Sequence, residues 1–227
     1  GGDNTLAASA KEDFIGLTLE AEVVFPSYVE VCATTASVPT TLTSASLFGM
    51  HSAIASTPAE TTWGGHGAAD YADIRVLALR DEVNSPDARF MVTSSQTNIP
   101  TITTDLYRNV YDDNMWNFAV RVVPQKHPIG DLVSGSLVTA GYNLEFYGVS
   151  KELDVVKEEF SLSDSIKATI AGQRVLRSPK RVFAGAHRTN FTGSLLQSSD
   201  VKISAVRFWS DVLPNAAVSA HANDSEV

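Results

Sequence analysis

Two carboxylate pairs at alternate positions, Glu20-Ala-Glu22 and Glu152-Leu-Asp154, have the spacing in this chain that most directly suggests acid–base chemistry. A retaining attack on a glycosidic bond needs two carboxyl groups about 5 to 5.5 Å apart across one cleft. A strand can supply carboxylates to one cleft when they recur at every second position, because its side chains alternate between faces. In both runs the next same-face position is apolar, Val24 and Val156, so the pattern stops at two. The simpler reading of each pair is the solvated face of a strand or a turn.

Other chemistries find less support. There is no Gly-Xaa-Ser-Xaa-Gly elbow and no His-Glu-Xaa-Xaa-His, and the histidines at 51, 66, 127, 187 and 221 never fall four apart. Gly65-His-Gly67 lacks the remaining glycine of a dinucleotide loop, and no P-loop is present. The chain is therefore expected not to be an enzyme and to need no cofactor. Asp112-Asp113-Asn114 is the densest run of oxygen ligands, with Asp70 and Asp73 next, and neither has EF-hand spacing. Asp and Asn also bond their own backbone and tolerate positive φ, so a turn before a strand is the plainer expectation for 112–114. Sugar recognition would need an aromatic platform with polar neighbours. Trp63 with His66 in a glycine-rich loop offers one, and His187, Arg188 and Asn190 in the Gly185 to Gly193 loop another. Asn190-Phe-Thr192 and Asn223-Asp-Ser225 match the glycosylation sequon.

The elements that would hold these residues are strands. Leu17, Leu19, Ala21, Val23 and Phe25 share one face while Thr18, Glu20 and Glu22 share the other, a period of two. Further strands are expected at 73–80, 89–93, 116–123, 142–149, 155–160, 182–185 and at the run ending in Trp209. Trp116 and Phe118 point inward, and so do Val206 and Phe208. Asn215 is placed as the N-cap of one short helix over 216–221. Many short strands with almost no helical periodicity predict an all-β, two-sheet sandwich. Residues 1–12 are expected to be a linker or arm, and 13–227 a single domain.

Composition fits that outline. The chain has 227 residues, 44% hydrophobic, which is enough for one sizeable core. Its 17 basic and 26 acidic side chains leave a net charge of −9, which disfavours nucleic acid or an anionic membrane as partner. Cys32 is the only cysteine, so neither an internal disulfide nor a cysteine-based zinc site is available.

Three stretches resemble the laminin G-like domains of the concanavalin A-like lectin/glucanase superfamily. One is the closing series Arg181–Gly193, Ser199–Trp209 and Leu213–His221; the others are Tyr111–Val122 and Ser46–Met50. The resemblance implies an antiparallel jelly-roll sandwich with one short C-terminal helix. The lack of a disulfide departs from animal laminin G domains and is more similar to bacterial-surface and phage modules. What it implies for function is a non-catalytic recognition or assembly module of a larger extracellular or virion-surface protein, in contact with neighbouring chains. A lectin-like module that binds a surface glycan is the alternative, with Ca²⁺ as the ion such rims often hold, and a glycoside hydrolase is the distant third.

Overall fold

The computed structural model describes residues 16–27, 42–53, 71–82, 85–96, 98–125, 141–167, 171–172, 175–176, 178–189 and 193–222. The expected arm over 1–12, Cys32, the loop with Trp63, His66 and Asp70, Asn190 and both sequons' asparagines lie outside the described residues.

Twelve strands and a C-terminal helix lie among the described residues, and residues 171–172 and 175–176 are also helical. Strands β1 (Leu17–Phe25), β2 (Ser44–Ala53), β3 (Tyr71–Arg80), β4 (Ala88–Thr93), β5 (Ile102–Thr103) and β6 (Asn114–Pro124) form its first half. Strands β7 (Tyr142–Glu152), β8 (Val155–Ile166), β9 (Lys180–Ala184), β10 (His187–Arg188), β11 (Leu195–Gln197) and β12 (Lys202–Trp209) follow, then helix α1 (Asn215–His221). One sheet runs β12-β1-β6-β7-β8, the second β5-β4-β3-β2-β9, and β10-β11 is a small hairpin apart from both. All the pairings are antiparallel. This is the two-sheet sandwich that the alternating faces predict, in the jelly-roll form with a short C-terminal helix that the resemblance implies.

The core lies between the sheets and is rich in aromatic rings. Phe90 of β4 meets Trp116 and Phe118 of β6 with ring centroids 4.8 and 4.7 Å away, in the edge-to-face arrangement that aromatic quadrupoles favour. Phe25, Phe48, Phe146 and Phe160 complete the cluster. The inward residues of β1 are those of the predicted face, and all five are buried.

Four expectations need correction. Phe208 points to the inner side, opposite Leu19, yet is 44% exposed, because β12 is the edge of its sheet and the ring overhangs the core; Val206 does pack against the interior. Helix α1 begins at Asn215 and is capped by Pro214, whose carbonyl accepts from Ala217 and Val218 N–H, with no side-chain cap. Glu20 and Glu22 are buried on the outer face of β1 rather than solvated. Strand β2 and the short strands β5, β10 and β11 fall outside the runs that alternation predicts.

Candidate functional site

Beneath α1, the outer face of the β12-β1-β6-β7-β8 sheet gathers the most polar set of side chains. Register places Arg207 of β12 and Ala119 of β6 on either side of Glu20. The Glu20 carboxylate, fully buried, accepts from Asn117 Nδ2 at 2.9 Å, Arg207 Nη1 at 3.4 Å and Trp209 Nε1 at 3.3 Å. His221 Nδ1 stands 2.9 Å from both of its oxygens. The same Asn117 amide donates to the Val218 carbonyl at 2.8 Å, and Lys151 Nζ donates to that of Ser219. Val218 and Ala222 pack on Ala119, Tyr147 and Val149. Glu20 is therefore the acceptor that clasps the C-terminal helix to the sheet. Its neighbour in the alternating pair, Glu22, accepts from Ser204.

This arrangement bears directly on acid–base chemistry. A general acid or nucleophile must touch its substrate, and Glu20 is at once dry and surrounded by donors from four side chains. The Tyr147 hydroxyl, on the same face, donates to Glu159 Oε1 at 2.6 Å, and burial holds it well above the ordinary phenol range. Burial pulls the Arg121 guanidinium below its usual value, opposed by Glu145 at 3.4 Å. The solvent-facing part of the cluster is Trp209, 37% exposed, its ring stacked on His221 at 5.8 Å and 17°. In the sequence Trp209 stands only as the end of a strand run. Its role could not be found without knowing that His221 returns to meet it.

Of the residues singled out from sequence, His187 is fully buried, so it offers no surface to a sugar, while Arg188 beside it is exposed and donates to the Gly193 carbonyl. Asp112, Asp113 and Asn114 form the turn entering β6. Asp113 has φ 54°, its carboxylate accepts from Ser27 N–H at 3.2 Å, and Asn114 donates to the Asn109 carbonyl at 2.6 Å. The second pair, Glu152 and Asp154, flanks the β7–β8 turn, where Glu152 is paired with Lys157 at 2.8 Å.

That turn is the other conspicuous surface. Strand β6 pairs with β7 only as far as Ser150, opposite Trp116, so from Lys151 to Glu158 the hairpin extends past that neighbour. At its tip Leu153 and Asp154 both take positive φ, 48° and 66°. Leu153 is 92% exposed, Val155 60% and Val156 44%. A two-residue turn of this kind is best served by Asn-Gly, and a leucine there is held against its backbone preference with its side chain in water.

No protein-family model and no curated protein matches the chain. Among solved structures it is similar to the crystal structure of the marine PL-14 alginate lyase from Aplysia kurodai, with 10% sequence identity and a TM-score of 0.48, over 87% of this chain and 70% of that one.

Proposed function

We propose that the chain is a non-catalytic recognition and assembly module, laminin G-like in kind, that joins a larger extracellular or virion-surface structure through contacts with neighbouring protein chains. The observation that carries this reading is the overhanging β7–β8 hairpin, with Leu153 in left-handed backbone beside exposed Val155 and Val156. An apolar group displayed at a backbone cost, on an element that leaves the body of the sheet, suits contact rather than stability. The absence of catalysis is supported by the alternating pair Glu20 and Glu22, both of which are committed to internal hydrogen bonds.

One observation favours a second reading, glycan binding. Trp209 is fixed by its bond to Glu20 and by stacking on His221, with Arg207 beside it, which is the aromatic-plus-polar set a pyranose ring requires. A thermal-shift panel of polysaccharides, with and without Ca²⁺, separates the two. The assembly reading expects unchanged melting curves. A rise in Tm that Trp209→Ala abolishes, with the fold intact, would replace it by the glycan reading.

A further inference from the structure

On the outer face of the second sheet, three strands bring two histidines and a carboxylate together. His51 of β2 lies opposite Asp73 of β3 in the strand register, and His187 of β10 comes over them from the hairpin that follows β9. The approach depends on Gly49: a Cβ there would collide with the Ile74 carbonyl and with the Phe183 ring, which lies over the glycine. Phe183 in turn stacks on His187, centroids 4.8 Å apart, and holds it against His51. The two histidines are 1% and 0% exposed, and Asp73 is fully buried.

We propose that His51 and His187, with Asp73 as third ligand, bind a divalent transition-metal ion of the zinc, cobalt or nickel class. The Nε2 atoms of the two rings face each other at 3.0 Å, with the ring planes at 87°. Two nitrogens bound about 2.0 to 2.1 Å from one ion stand about 2.9 to 3.4 Å apart, in octahedral or tetrahedral geometry respectively, and the observed separation is within that range. Asp73 Oδ2 is 3.9 Å from His187 Nε2 and 3.1 Å from Arg75 Nε. Among the described residues no three such side chains are placed to hold an ion as they stand, so binding requires Asp73, whose Oδ1 accepts from Ser95 N–H at 2.6 Å, to bring its Oδ2 toward the pair. Arg75, with 18% of its side chain exposed, has room to turn toward solvent as that happens. Two imidazoles select a borderline ion over Ca²⁺ or Mg²⁺, which prefer oxygen. This site is separate from the Trp209 surface and from the β7–β8 hairpin, so its test is independent of the proposed function.

The experiment is calorimetric titration of the EDTA-treated chain with Zn²⁺, paired with melting curves in Zn²⁺, Ca²⁺ and Mg²⁺. One Zn²⁺ per chain and a Tm raised by Zn²⁺ alone are expected. His51→Gln and His187→Gln should each abolish the effect, and Asp73→Asn should weaken binding about tenfold or more. Should a glutamine variant fail to fold, ¹⁵N spectra of the unmodified chain keep the question open to decision, since two histidine Nε2 resonances must move on adding Zn²⁺. No binding, a Tm rise that survives both histidine substitutions, or unmoved histidine resonances would each overturn the proposal and leave the 3.0 Å contact as a hydrogen bond between the rings.

Discussion

Glu20 accepts from donors on two strands and the C-terminal helix, and removing its carboxylate takes an acceptor from buried Asn117 and from the partly exposed Arg207, Trp209 and His221. Leaving a buried hydrogen-bonding group without its partner costs about 1 to 3 kcal/mol, and Glu20→Ala is expected to lose about that much in urea unfolding. Trp116→Ala, in the aromatic core, should lose about 3 to 5 kcal/mol by the combined transfer and cavity costs. The two residues differ in how far the sequence reveals them. Alternation along β6 marks Trp116 as inward, and it is 2% exposed. The same alternation puts Glu20 on the other face but says nothing of what covers that face. The cover is His221, 201 residues away in sequence. His187 shows the same limit, for a histidine in a turn-rich stretch gives no local sign that it is buried as part of a two-residue strand.

At the scale of elements, period two marks the long strands except β2, whose Ser46–Met50 stretch enters only through the resemblance, while β5, β10 and β11 have two or three residues and are too short to show any period. For Phe208, periodicity assigns a side but not the extent of the opposing sheet, which at an edge strand decides burial. The β7–β8 hairpin carries its own prediction. Asp154 holds φ 66°, a conformation glycine adopts without steric cost, so Asp154→Gly should stabilise the chain by about 1 kcal/mol in denaturant unfolding. A loss of stability on that substitution would mean that the Asp154 side chain supports the turn. Helix α1 is seven residues long, too short to persist alone, and its survival rests on Val218, Asn117 and Glu20.

For the whole molecule, the buried titratable groups set the shape of the alkaline stability profile. Burial pushes the Lys180 ammonium down to about 8, while its Nζ donates to the Leu176 and Ser178 carbonyls. From about pH 8 to about 10.4 the unfolded chain holds a proton at Lys180 that the folded chain has lost, so stability rises with pH there. Burial raises the phenols of Tyr107, Tyr111 and Tyr147, so above about pH 10 the folded chain keeps protons that the unfolded chain releases, and stability falls. Unfolding free energy measured across pH 7 to 11 should therefore pass through a maximum near about pH 10. Lys180→Met should flatten the rising limb and leave the falling one. A rising limb that persists in that variant would remove Lys180 as its cause.

The proposed function depends most directly on the claim that the apolar tip of the β7–β8 hairpin serves contact and not the fold. Denaturant unfolding of the variant combining Leu153→Asn, Val155→Thr and Val156→Thr tests it. The outward position of these side chains and the left-handed backbone at Leu153 predict a stability equal to or above that of the unmodified chain. A loss of more than about 1 kcal/mol, the scale of a typical destabilising substitution, would show that the tip is part of the folded body and contradict the account.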